Sequence, residues 1–257
     1  VKSLIPSFVG EGGVFARMLT AILAMWFLGQ RCNAEGQEPT PEAQGREWAQ
    51  KLRSVVPEQP STNQAVLKIR SREGRRQVPV TVVTLPGKDH WTVEYQAAGD
   101  GVKGPREVSK IHYSAEAAPL FESRVEVEGK LQVHEGPTAG ERAIAGSDFL
   151  LRELGMGFLH WPEQRIRGRE LSNGRWCQVL ESVSKKSEGP ASVRSWIDEK
   201  LGVVLSAEVY DSRNVRIKHF SITQFREQAD RWSCSVSMVD DIRGSKTELS
   251  FDGPAPR

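Results

Sequence analysis

Hydrophobic and polar positions alternate with a period of two through most of this chain, most clearly from Ser195 to Phe225. Val203, Leu205, Ala207 and Val209 fall on one side of a run whose other side is Val204, Ser206, Glu208 and Tyr210. In the next run Val215, Ile217, His219 and Ser221 oppose Arg216, Lys218, Phe220 and Ile222. Successive side chains of a strand point to opposite faces, so this is the pattern of sheet. The polar breaks DEKLG and DSRN carry Asp, Asn and Gly, which tolerate tight reversals, and consecutive strands are therefore expected to pair antiparallel.

The same alternation recurs before and after this stretch. Beyond Pro60 come AVLKIRSRE, RQVPVTVVTL, HWTVEYQAA and REVSKIHYS, separated by Gly-, Pro- or Asp-bearing breaks. FESRVEVEGKLQV continues the pattern to Val133 with a hairpin expected at Glu128 and Gly129. QRIRGRELS, RWCQVLESVS and ASVRSWID precede the central stretch, and RWSCSVSMVDD and KTELSF follow it, with SNG at 172–174 as a strong turn signal. Pro79, lacking an N–H, predicts an edge or a bulge in its run. The tally of about ten or eleven strands is too many for a flat open sheet without curling. The predicted class is mainly β (α+β): a strongly curved antiparallel sheet, an unclosed β-barrel, with helices covering its concave face.

Two segments switch to helical spacing. After Thr40 as cap and Pro41 at the first position, Ala43, Trp48, Leu52 and Val55 or Val56 form one apolar stripe, predicting a helix that packs on the concave side. Trp48 reads as a core plug. From Gly146 to Trp161, GSDFLLRELGMGFLHW has Ser147 or Asp148 as a candidate N-cap and apolar residues on more than one face, with Pro162 as the stop. Gly155 and Gly157 each weaken a helix by roughly 1 kcal/mol relative to Ala, so this segment is expected to be short and broken. It reads either as a lid over an apolar cavity or as a helix sealing an ordinary core.

Residues 1–34 are read as a signal peptide: MLTAILAMWFL from Met18 to Leu28 is apolar, follows Arg17, and is too short to span a bilayer comfortably. Cleavage is expected after Ala34, the alternatives being a buried helix or an uncleaved anchor; the residues before Cys32 do not suit a lipid-modified cysteine. Residues 35–257 are then expected to form a single periplasmic domain. The formal charge is +2, and removing Lys2, Arg17, Arg31 and Glu11 takes three of 35 basic and one of 33 acidic residues, leaving 32 of each. No net field draws such a protein to nucleic acid. The clusters at 72–76 and 165–169 read as solvated strand faces and turns.

The common catalytic and metal-binding motifs are absent: no HExxH, GxSxG, phosphate-binding glycine loop or CxxC pair occurs. The five histidines, His90, His112, His134, His160 and His219, are dispersed, and Asp240 and Asp241 read as turn residues. Neither enzymatic activity nor a cofactor or metal is expected. Cys177 and Cys234 are either a disulfide, as an even pair in an exported protein allows, or two small buried thiols; three strands separate them in a simple meander.

Three segments carry a family resemblance. They are Gly146, Ser147, Asp148 and Phe149; Trp196, Ile197, Asp198, Gly202, Leu205, Glu208, Tyr210, Asp211 and Lys218; and Met238, Gly244, Thr247 and Leu249. Together they resemble the LolA-like proteins, the outer-membrane lipoprotein-sorting family, in which a GSDF-type start precedes a WID strand pair and a closing hairpin. This chain departs from the pattern in the LLRELGMGFLHW continuation and in the glycine-free SRN turn. The resemblance implies an unclosed barrel whose apolar concave face, under a helical lid, receives acyl chains. It specifies architecture better than activity.

The function expected is that of an exported lipid or lipoprotein carrier that shields acyl chains in a hydrophobic cavity. The alternative is a periplasmic sensor or scaffold using the same half-barrel to bind envelope lipid or a protein. Trp91, Phe149, Leu151, Leu154, Phe158 and Trp196 are the candidate cavity residues, chosen as large apolar groups on the lid or the sheet. The expected partners are an acyl lipid or lipoprotein and an inner-membrane lipid or lipoprotein transporter, and the expected state is a monomer.

Overall fold

The computed structural model describes residues 39–88, 90–98, 105–185, 189–228 and 231–254. The predicted leader and its cleavage site lie outside the described residues. No helix among the described residues is long and apolar enough to cross a membrane.

Each run named from its alternation forms a strand. In chain order these are β1 (Ser61–Ser71), β2 (Gly74–Pro86), β3 (His90–Ala98), β4 (Pro105–Ser114), β5 (Leu120–Val127) and β6 (Lys130–Glu135). After a crossing segment come β7 (Glu163–Ser172), β8 (Arg175–Val183), β9 (Ser192–Asp198), β10 (Val204–Tyr210), β11 (Arg216–Gln228), β12 (Arg231–Asp240) and β13 (Ser245–Pro254). All lie in one sheet of 13 strands, not the ten or eleven tallied, ordered β6-β5-β4-β3-β2-β1-β13-β12-β11-β10-β9-β8-β7. Every paired ladder is antiparallel, and β6 and β7 are edges that do not pair with each other, so the barrel stays unclosed.

Turn chemistry fixes the register. Asn173 and Gly174 have φ of 51° and 77°, and Glu128 and Gly129 have 52° and 74°, the two consecutive left-handed residues that a tight hairpin matching strand twist requires. The turn after β10 closes through Asp211, whose carboxylate accepts the Arg213 and Val215 N–H groups at 2.9 Å each. Asp198 does the same after β9, accepting from Lys200 and Leu201. Pro79 stands within β2, on neither an edge strand nor a bulge; the ladder with β3 begins one residue later, at Val80. Its missing donor is tolerated where β2 has only one paired neighbour.

The helix α1 (Pro41–Arg53) starts as its sequence predicts, with Thr40 Oγ1 accepting the Ala43 N–H at 3.2 Å and Pro41 opening the first turn. It packs on β7, the sheet's last strand. Ala49 joins Leu159, Ile166, Leu180 and Ile197 in a small core, with Trp48 half-buried against it. Gly45 permits this contact: a Cβ there would come within 2.5 Å of the Arg165 backbone.

The segment 136–162 joins two edges on opposite ends of the strands, because β6 ends where the β4–β5 turn lies and β7 begins where the β8–β9 and β10–β11 connections lie. It therefore crosses the hollow of the sheet. As expected from its glycines, the stretch from Gly146 to Trp161 is short and broken and not one continuous helix. The crossing segment consists of α2 (Gly136–Gly140), a 3-10 turn at Ile144–Gly146, α3 (Leu151–Leu154) and a second 3-10 turn at Gly157–His160. Left-handed residues at Ala145 (φ 48°) and Met156 (φ 47°) break it.

Candidate functional site

The crossing segment is pinned to the sheet at its middle. Asp148 is buried, and its carboxylate accepts the Ser245 and Thr247 hydroxyls of β13 at 2.5 and 2.8 Å, while its own N–H donates to Thr247 Oγ1 at 3.0 Å. Lys218 of β11 reaches the same place, donating to the Asp148 carbonyl at 3.1 Å and pairing with Glu153 at 3.0 Å. Glu153 in turn accepts the Leu150 N–H that opens α3. Burial pushes the Glu153 carboxyl above its usual range although Lys218 and Leu150 pull it down. Asp148 thus does not cap a helix; it tethers the lid. Asp148 of the lid, Lys218 of β11 and Thr247 of β13 form one polar knot beneath it.

A second tether lies close by. Glu107 of β4 accepts the Ala145 N–H at 2.9 Å, and Arg76 of β2 donates to the Ala145 carbonyl. From there the chain turns back. The Tyr113 hydroxyl donates to the Leu154 carbonyl at 3.1 Å, and Gly155 sits against Phe121 and Ile111.

Between this lid and the sheet lies a cavity of about 730 Å³. Its wall is built by Val193 of β9, Ala207 and Val209 of β10, Phe220 of β11 and Met238 of β12; Leu249 and Phe251 of β13 extend it. Tyr95 closes it from β3, Leu52 and Val55 from the end of α1, and Phe158 and Trp161 from the lid's last turn. The β10–β11 alternation, read from sequence without knowing its inner side, is settled by these contacts: Ala207, Val209 and Phe220 look into the hollow. A register shift between Val204 and Ser206 changes the phase, so Val204 also lines the cavity instead of facing out with Ser206. Among the described residues the lining contains no Ser, Thr, Cys, His or Lys, and its charged members are Glu141, Arg152 and Glu153 at the lid.

Of the six candidate residues, Phe149, Leu154 and Phe158 line the cavity, and Trp91, Leu151 and Trp196 do not. Trp91 is buried by stacking on Tyr113, ring centroids 4.9 Å apart and nearly parallel. Leu151 is wholly buried in the core between lid and sheet. Trp196 lies on the other face of β9 from the cavity-lining Val193, and its indole N–H donates to Glu170 at 2.8 Å. Alternation could not reveal which face of β9 was inner. Phe220, Met238, Leu249 and Phe251 were missed because their runs carry as many polar as apolar residues and alternation does not say which face the lid covers.

The outer face is an ion-pair lattice. Glu181 lies between Arg165 and Arg194, with Arg167 near it; burial raises its carboxyl, but these guanidinium groups bring it below the usual range. Arg169 makes a bidentate pair with Glu199. Asp240 accepts the Ile242 and Arg243 N–H groups of its turn, and Asp241 pairs with Arg216, so the acid pair serves the β12–β13 hairpin. Cys177 and Cys234 are free, one on β8 and one on β12. Four strand spacings, about 19 Å along the sheet, separate them, far beyond the ~7 Å limit for a bridge.

A family model described only as "Uncharacterized protein" matches residues 136–255. No curated protein matches the sequence. Among solved structures, a DUF1329 family protein from Desulfovibrio piger superposes with a TM-score of 0.67 at 14% identity, covering 85% of this chain and 94% of that one. A domain named for outer-membrane lipoprotein sorting from Vibrio parahaemolyticus gives 0.63 at 16% identity, covering 82% and 92%. A LolA superfamily protein from Nitrosomonas europaea gives 0.54 at 13%, covering 85% and 94%. With its open antiparallel sheet and crossing lid, the chain has the fold of the LolA-like lipoprotein-sorting proteins.

Proposed function

We propose that this protein is an exported carrier that shields acyl chains in its concave cavity, in the manner of periplasmic lipoprotein sorting. The observation that carries this reading is the cavity itself: about 730 Å³, walled by aliphatic and aromatic side chains and covered by a tethered lid. That size lies within the ~300–1,000 Å³ of small-molecule sites. Burying an acyl chain contributes about 0.8 kcal/mol per methylene, so an apolar wall suffices for affinity without a charged motif. The absence of any Ser, Thr, Cys, His or Lys from the described lining favours holding a ligand over converting it. The solved lipoprotein-sorting domains of the same fold support the same reading.

The test is extraction of the purified mature protein and mass spectrometry of what is released, paired with titration of a fluorescent fatty acid. Co-purifying acyl lipid and saturable binding are expected. Repeated absence of both would overturn the carrier reading.

A further inference from the structure

The cavity has a polar lip, and its charges are arranged unequally. Residues 141–152 form a small antiparallel hairpin: Leu151 N–H donates to the Arg142 carbonyl at 3.0 Å, Ile144 N–H to the Phe149 carbonyl at 3.1 Å, and Ala143 bridges Leu150. Its two ends place Glu141 and Arg152 side by side on the cavity lining, where they pair with each other. The next residue, Glu153, also lines the cavity but is engaged within the fold by Lys218 and the Leu150 N–H. Arg152 is therefore the one cation among the described lining residues; its ion pair is with the Glu141 carboxylate, while Glu153, already paired with Lys218, acts on it only through space. Glu141 is the more exposed of the two, with 58% of its side chain exposed against 32% for Arg152.

We propose that Arg152 reads the ligand's head: the cavity takes an amphiphile whose acyl tail lies against the wall and whose oxyanion, a carboxylate or a phosphate, displaces Glu141 from the guanidinium. The planar guanidinium suits either group through paired N–H donors, and Glu141 can return to water at little cost. The exchange is one oxyanion for another on the same cation, so no charge is left unpaired in the apolar site. Arg152 and Glu141 keep the lip neutral until the ligand arrives. This rests on the carrier reading above and narrows its ligand class.

The experiment compares four probes by fluorescent-ligand displacement: palmitate, a C16 monoacylglycerol phosphate, hexadecanol, and inorganic phosphate without a chain. The wild-type protein is expected to prefer palmitate, the acyl phosphate or both over hexadecanol by about tenfold, as a charge-assisted contact gives. Inorganic phosphate alone is expected not to compete, which separates a lipid head from a free anion. Arg152→Gln should abolish the preference while hexadecanol binds as before, which also shows that the variant is folded. Glu141→Gln should tighten oxyanion binding by removing the competitor. Equal affinity of the wild type for charged and neutral heads, or a preference that survives in Arg152→Gln, would overturn the inference and leave the carrier standing. Failure of every chain-bearing probe to bind would overturn both.

Discussion

Asp148 concentrates in one side chain the decision between a lid that lies on the sheet and one that does not. Its carboxylate holds two β13 hydroxyls in a buried site, so Asp148→Ala leaves Ser245 and Thr247 without their acceptor. A loss of about 3 kcal/mol is expected from urea denaturation, since hydrogen bonds to a buried charged group are each worth roughly 1.5–3 kcal/mol. Thr247→Val should cost less, and the double variant should lose less than the two singles combined, because they share one network. A second residue-scale expectation concerns pH. Glu181 titrates below its usual range in the folded protein because Arg165 and Arg194 hold it ionised against the cost of burial. Its folded value lies below its unfolded one, so its contribution is complete above the unfolded value of about 4.5 and is lost as pH falls through the folded value. Glu181→Gln should destabilise the protein at pH 7, by about 1–2 kcal/mol given the half-exposed arginines. Thermal melts between pH 3 and 7 should show the difference from wild type shrinking toward the acid end.

At the scale of elements, two glycines are fixed by close contacts, Gly45 inside α1 and Gly155 at the C-cap of α3. Gly→Ala inside a helix ordinarily gains about 1 kcal/mol. Gly45 of α1 would place its Cβ 2.5 Å from the Arg165 backbone, which no rotamer relieves. Gly45→Ala is therefore expected to push α1 off β7 and lower stability by about 1–3 kcal/mol, the usual cost of overpacking, read as a fall in melting temperature. Gly155→Ala meets Phe121 at 2.9 Å and Ile111 at 3.3 Å and should act in the same direction, more mildly, because the Phe121 ring is a side chain that can shift. The start of α1 was legible because capping is local: Thr40 and Pro41 suffice. The lid was legible as short and broken, but the positions that fasten it were not, because Ala145, Asp148 and Glu153 are tethered to β2, β4, β11 and β13, which lie far away in sequence. Lys218→Met should loosen that lid. Faster amide exchange across 149–155, with exchange in β1 and β13 unchanged, is the expected signature.

For the molecule as a whole, the curled sheet creates the hollow and the crossing segment roofs it. Ala207 is the small residue of the cavity wall on β10, so Ala207→Phe adds volume into open space instead of into packed core. It should weaken fatty-acid binding by at least about tenfold with a change in stability under about 1.5 kcal/mol, measured by ligand titration and denaturation on the same sample. Trp196→Phe provides the contrast: it lies on the other face, bonded to Glu170, and should leave ligand binding unchanged.

Periodicity in the sequence determined that this chain is a long antiparallel meander, where its turns fall and that something other than strand crosses it, since alternation, caps and turn residues act within a few positions. Which face of each strand looks inward depends on the direction of curl and on a register shift at β10, neither of which is local. That is why Trp196 read as a cavity residue while Phe220, Met238 and Phe251 did not; Trp91 shares the inner face of β3 with Tyr95 but is taken up in its stack on Tyr113. Cys177 and Cys234 show the limit from the other side: the meander read from sequence already put three strands between them, and the sheet order keeps them four strand spacings apart and free. The tertiary structure alone made a single knot of Asp148, Lys218 and Thr247, because a buried carboxylate finds its donors across space, and with that knot it decided that the apolar segment is a roof over a cavity.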